Sequence, residues 1–292
     1  MAYRGFRFGV SLFASGSREE WQDKARAAEG LGYDVILVPD HLGMPAPFPS
    51  LVAAAQVTTG PRLGTFVLNA GFYKPALLAR DVASTDQLVD GRLEVGLGAG
   101  YAQQEYEIAG LPFPSAGQRV NYLKHTVMEL RRLLADGDHR PSGTQHPTPP
   151  LMIAGHGDRL LRLAGEQADI IGLTGVTLRR HTGTSDPGQA ALAERIEFIR
   201  TVAGDRLPSI ELNLMIPAVL LPNNRKSNLS IIRQFSPDLT DLEILQLPGV
   251  LHGTEQEIAE TLHQYRETYG LTYFSVTEQS MPDFAKVISL LR

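Results

Sequence analysis

Gly91-Arg-Leu-Glu-Val-Gly-Leu-Gly-Ala-Gly-Tyr101, continuing as Ala-Gln-Gln-Glu-Tyr106, is the stretch on which the fold turns. Gly91-Arg92 leads the chain out of a helix. Residues 93–97 are a short apolar run with the length of a fully buried strand. Gly98, Ala99 and Gly100 then leave the backbone bare where that strand ends. Glycine there permits positive φ and lets a ligand reach backbone N–H groups. The spacing is G-x-G-x-G, not the dinucleotide G-x-G-x-x-G, and no acidic residue closes a next strand about 20 residues on. Tight packing of a strand against its loop explains the glycines equally well, so the surrounding pattern decides.

That pattern alternates. Strands are expected at residues 6–12, 33–38, 63–68, 93–97, 151–154, 169–173, from 210 into an apolar run ending at 221, and at 273–276. Helical sequence follows each. Ser17-Arg-Glu-Glu20 and Thr254-Glu-Gln-Glu257 are capping boxes that open helices. Leu78, Val82, Thr85 and Val89 form one apolar stripe, and Leu123, Val127, Leu130 and Leu134 another. Strands separated by helices pair in parallel through crossovers. Eight of them predict an α/β fold, a closed (β/α)8 TIM barrel, in one domain over residues 1–292, with an irregular insertion (222–248) after the seventh strand.

The chain has 292 residues, 43% hydrophobic and 20% charged, which suits one sizeable core. A net charge of -5 gives no basic face for nucleic acid or an anionic membrane. The absence of cysteine excludes disulfides, thiolate metal sites and cysteine nucleophiles. No apolar leader and no run of 18 apolar residues is present, so a cytoplasmic protein is expected.

Loops after barrel strands form the functional face. The polar candidates there are Ser11, Asp40, His41, Asn69, Tyr101, Gln104, Glu105, His156, Asp158, Thr174, Thr277 and Glu278. Asp40-His41 is the sharpest pair, because histidine titrates near neutral pH and suits proton transfer. Adjacent side chains at a strand end diverge, so the two have different roles; a plain Asp-His turn is the competing explanation. Gly155-His156-Gly157 opens a helix whose N-terminus suits a phosphate, or is simply a strand-to-helix turn. The remaining histidines lack ligand spacing, so no metal is expected, and no G-x-S-x-G elbow occurs.

Together, Val38-Pro-Asp-His41, Leu63-Gly-Thr-Phe-Val-Leu68, the segment from Pro75 through Gln87-Leu-Val-Asp-Gly-Arg92, and Leu93 to Tyr101 with Glu105-Tyr106 resemble the luciferase-like monooxygenase superfamily, and within it the coenzyme F420-dependent oxidoreductases. The resemblance implies that Asp40 and Asn69 contact a deazaflavin ring and that His41 handles a proton. It implies a non-prolyl cis peptide between Phe66 and Val67, backing the ring. Ala99, Gly100 and Gln104 would border the ribityl chain, and Gly155, His156 and Gly157 the phosphate. A homodimer is implied as well. Sugar-phosphate dehydrogenases of this kind carry an acidic residue where Tyr101 stands and a tryptophan near Met44, so a glucose-6-phosphate activity is not expected. The loops around Met44 and residues 179–187 would shape a different pocket.

Three functions are compatible with these residues. The first is an F420-dependent oxidoreductase passing a hydride between the deazaflavin and a small organic substrate, by reduction of an activated C=C or C=N or oxidation of an alcohol. His41 would carry the proton, with Tyr101 as the other catalytic candidate, and a reductase partner would supply reduced cofactor where needed. The second is an FMN-dependent, two-component monooxygenase using reduced flavin and O2; Arg159 and Arg162, close to Gly155, favour it. The third is a non-catalytic binder of flavin or deazaflavin.

Overall fold

The computed structural model describes residues 5–13, 16–174, 188–224, 229, 232–233 and 239–292. The expectations for residues 179–187 therefore lie outside the described residues.

The barrel strands are β1 (Arg7–Ser11), β2 (Val35–Val38), β3 (Arg62–Thr65) with β4 (Leu68–Asn69), β5 (Leu93–Gly98), β6 (Leu151–Gly155), β7 (Ile170–Leu173), β8 (Glu211–Ile216) and β11 (Leu271–Thr277). They run in the order β3-β2-β1-β11-β8-β7-β6-β5-β4, and β3 also pairs with β5, which closes the ring. Every pairing is parallel. With β3 and β4 as two halves of one strand, this is the closed eight-stranded TIM barrel. Its helices include α1 (Arg18–Gly30), α2 (Pro47–Ala55), α3 (Pro75–Leu88), α4 (Gln103–Ile108), α5 (Ala116–Ala135), α6 (Asp158–Gln167) and α7 (Gln189–Ala203). Then follow α8 (Asp241–Leu245), α9 (Glu255–Tyr269) and α10 (Met281–Leu291). Both capping serine and threonine oxygens act as expected: Ser17 accepts from Glu20 N at 3.1 Å, and Thr254 from Glu257 N at 3.3 Å.

The third strand, expected as one run over 63–68, is broken in two. The Phe66–Val67 peptide between the halves is cis. Across the break the ladder is completed by a side chain. Thr65 Oγ1 accepts from Gly96 N at 2.8 Å and donates to Gly96 O at 2.9 Å. A side chain at Gly96 has no room, because its Cβ would stand 2.2 Å from Thr65 O.

Outward residues of the strands, such as Phe8, Ile36, Leu63, Leu97, Ile153, Ile171, Leu214 and Phe274, pack with the helices in one large core. Inward residues form a second cluster of Val35, Leu37, Phe66, Met152, Ala154, Ile170 and Tyr273, which fills the lumen. The lumen floor, at the N-terminal ends, is ionic. Arg7 Nη2 donates to Glu94 Oε1 at 2.6 Å, Arg62 Nε donates to the same oxygen at 2.6 Å, and Arg7 also pairs with Glu211.

The seventh strand, expected as one run from 210 to 221, leaves the barrel at residue 217. Pro217 lacks an N–H and ends β8. The chain then forms β9 (Ala218–Leu220), which pairs in parallel with β10 (Val250–His252). With α8 between them, Leu220, Ile244, Leu247 and Val250 build a small separate core.

Thr65→Val keeps the shape but leaves the Gly96 N–H and C=O buried without partners. It is expected to cost about 2–4 kcal/mol of stability, read as a lower urea midpoint, while Thr65→Ser stays near wild type.

Candidate active site

The C-terminal ends of β2, β4 and β5 meet at one place. Asp40 and His41 leave β2 together and diverge. Asp40 Oδ2 accepts from Asn69 N at 3.0 Å, and its carboxyl also takes the Tyr73 hydroxyl. His41 turns the other way: its Nδ1 lies 2.7 Å from Glu105 Oε1, and its ring meets Tyr101 edge-on, with centroids 6.0 Å apart.

Asn69 is the hinge between the strands. It is buried, and its Oδ1 accepts from Tyr106 Oη at 2.9 Å and from Gly71 N at 3.1 Å. Both engagements fall on the oxygen, so the NH2 is the half available to a ligand. Gly100 has φ +71, and a Cβ there would stand 2.2 Å from Asn69 Oδ1. Only glycine lets the β5 loop lie this close. Arg119 Nε, from α5, donates to Gly100 O at 2.9 Å and fixes that loop. Gly98 belongs to the same cradle, since a Cβ on it would stand 2.8 Å from Val67 Cγ2. Phe66 is buried in the lumen, and Val67 packs beside it.

The structure thus brings together Asp40, His41, Phe66, Val67, Asn69, Gly100 and Tyr101. Ala99 packs against the large core beside the bare strand end. Gln104 lies in the first turn of α4, exposed to solvent. Gly155, His156 and Gly157 stand at the end of β6 and the start of α6. Gly157 supplies no side-chain cap, which leaves first-turn N–H groups open to an anion.

Nearby cations are largely committed. Arg162 lies over the Phe198 ring at 5.6 Å, drawn towards α7. Arg195 ion-pairs with Asp158 and Glu194. Arg159, in the first turn of α6, donates to Asn121 Oδ1 at 2.7 Å and so bridges to α5. Glu278, a strand-end candidate, ties the barrel end together by accepting from Phe13 N at 2.9 Å and pairing with Lys24. A groove of about 420 Å³ lined by Gln189, Leu247, Val250, Thr261 and Tyr265 lies elsewhere, between α7 and α9. Among the described residues, no three His, Asp or Glu side chains gather as a metal site.

Sequence reasoning missed α4 as a helix, and with it the placement of Glu105 and Tyr106. It missed Tyr73 altogether. Helix α4 has six residues and no side-chain cap, too little for a periodic signal.

The sequence profile of the luciferase-like monooxygenase family matches residues 5–211, so the chain belongs to that family of enzymes. An F420-dependent glucose-6-phosphate dehydrogenase of Beutenbergia cavernae is 31% identical over 65% of this chain and 60% of its own length. The oxygenase component of a flavin-dependent trigonelline monooxygenase from Acinetobacter baylyi is 30% identical over 47% of this chain and 42% of its own. A solved F420-dependent secondary alcohol dehydrogenase, in complex with an F420-acetone adduct, superposes with a TM-score of 0.74 over 99% of this chain and all (100%) of its own, at 19% identity. That likeness is one of fold. The family contains users of deazaflavin and of flavin, and no helix among the described residues is long and apolar enough to cross a membrane.

Two expectations follow from this geometry. Tyr106→Phe removes the hydroxyl that aims Asn69; a loss of about 1 kcal/mol in unfolding free energy and weaker cofactor binding are expected, by denaturation and titration. The second concerns Asp40. Burial raises its carboxyl above the ordinary value, against the opposing pull of the Asn69 N–H, the Tyr73 hydroxyl and His41. A raised carboxyl binds its proton more tightly in the folded chain. The linked stability is therefore greatest below the ordinary carboxylate range and falls as pH climbs through the raised value. Asp40→Asn should match or exceed wild-type stability at neutral pH and approach it below about pH 3, while binding cofactor less well.

Proposed function

We propose that the protein is an F420-dependent oxidoreductase, transferring a hydride between the deazaflavin and a small organic substrate, with His41 handling the proton. The observation that carries this reading is the junction of β2, β4 and β5: a histidine at a strand end, beside a glycine cradle whose one amide donor is pre-aimed.

The residues present fit a flat ring. Phe66 and Val67 give it an apolar backing, and the missing side chains at Gly98 and Gly100 leave backbone against which it can lie. Asn69 NH2 and Asp40 would hold its polar edge, and the α6 N-terminus with Gly155, His156 and Gly157 its phosphate. When bound, the deazaflavin supplies hydride transfer. The chain's own part is to orient, exclude water, and give or take a proton at His41. The rim beside His41 is apolar, with Leu42 45% and Met44 40% exposed. This supports an uncharged substrate in place of a sugar phosphate. The commitment of Arg162 to the Phe198 ring and of Arg195 to Asp158 and Glu194 weakens the case for a flavin phosphate held by a cluster of arginines.

A two-component FMN monooxygenase is the second reading. It is favoured by Arg159 in the first turn of α6 and by the likeness to an oxygenase component.

Titration of the purified protein with F420 and, separately, FMN tests the choice by fluorescence and absorbance. Tight binding of F420 alone is expected; tight binding of FMN alone would transfer the reading to oxygen chemistry. His41→Ala is expected to keep cofactor binding and lose turnover by about 10²- to 10⁴-fold. Undiminished turnover would remove His41 from its role.

A further inference from the structure

His41 has two ring nitrogens, and among the described residues only one of them is engaged. Its Nδ1 lies 2.7 Å from Glu105 Oε1, and no described residue hydrogen-bonds Nε2. The pair is partly withdrawn from water, with the His41 side chain 31% and the Glu105 side chain 17% exposed. An ionised carboxylate can only accept, so the hydrogen of the neutral ring belongs on Nδ1 and the lone pair on Nε2.

The other groups that face His41 do not compete for this role. Asp40, its neighbour in sequence, has its carboxylate taken by Asn69 N and the Tyr73 hydroxyl. Tyr101 meets the imidazole edge-on, at an interplanar angle of 75°. Glu105 is left as the partner that fixes the ring. It sits on α4, whose next residue, Tyr106, reaches Asn69 in the opposite direction. Arg119, from α5, holds the Gly100 carbonyl of the loop leading into α4 and so steadies both contacts.

We infer that Glu105 is a positioning residue: it fixes His41 in the Nδ1–H tautomer, presents Nε2 to the substrate, and balances the imidazolium formed when Nε2 takes a proton. This rests on the reading of His41 as the proton-handling group. In the direction of alcohol oxidation, with a bound deazaflavin as the hydride acceptor, Nε2 would take the O–H proton of the same substrate. In the direction of reduction, Nε2–H returns the proton.

The test needs no substrate. Long-range 1H–15N spectra of the imidazoles are recorded for the cofactor-free protein, for Glu105→Ala and for the isosteric Glu105→Gln, at a pH where the rings are neutral. The His41 resonances are assigned by their loss in His41→Ala. The wild type is expected to show a protonated Nδ1 and a bare Nε2. Either Glu105 variant is expected to show a mixture of tautomers, with F420 and FMN affinities within about threefold of wild type, a difference under 1 kcal/mol. A wild-type ring protonated on Nε2, or variant spectra identical to wild type, would overturn the assignment. Since Gln preserves the shape of the side chain, a folding failure of the Ala variant leaves the test intact. The two ideas separate cleanly: His41→Ala with full turnover sinks the catalytic reading, and an unchanged tautomer sinks only the role of Glu105.

Discussion

The barrel closes on one residue pair. Between Thr65 and Leu68 the third strand turns out of register with β5, and the ladder would lose both polar groups of Gly96. The Thr65 hydroxyl satisfies both, as acceptor for the N–H and donor to the carbonyl. A buried peptide group left unpaired costs about as much as several ordinary contacts contribute. The exchange therefore lets the backbone at Phe66 and Val67 leave the sheet while the barrel stays shut. Everything at the mouth depends on that departure, because it brings Asn69 under the β5 loop.

From Asn69 the site is assembled by competition for acceptors. Its backbone N–H goes to Asp40, and its side-chain oxygen to Tyr106 and Gly71. The short helix α4 then serves two masters, with Glu105 on His41 and Tyr106 on Asn69. Two side chains from consecutive residues thus control two different strand ends. A shift of α4 by a fraction of a hydrogen-bond length would be felt at both, which is a reason for Arg119 to anchor the loop that precedes it.

Much of this was legible in the sequence, for identifiable reasons. The strands announced themselves because buried parallel strands are continuous apolar runs, α1 and α9 because of their capping boxes, and α3 and α5 because of their apolar stripes. Asp40, His41 and Asn69 could be named because polar residues directly after such runs stand out. Tyr73 could not, as an aromatic in a loop carries no sign that it will seek a carboxylate. Glu105 was visible as a polar residue, but its partner lies 64 positions away in the chain, and no local pattern encodes that contact. Arg162 was read as near Gly155 from sequence distance alone; a helical turn carries it around to Phe198 instead. The seventh strand read as one run because β9 continues the apolar sequence of β8 past Pro217, and β10 went unread because three residues are too few for alternation to show.

The ionic floor has a consequence for traffic through the molecule. Among the described residues, Arg7, Arg62, Glu94 and Glu211 pair across the N-terminal end, and the cluster that includes Tyr273 and Phe66 packs in the lumen above them. A ligand lying against the glycines of β5 would therefore be reached from the C-terminal face, and a second one sharing that face would sit above it.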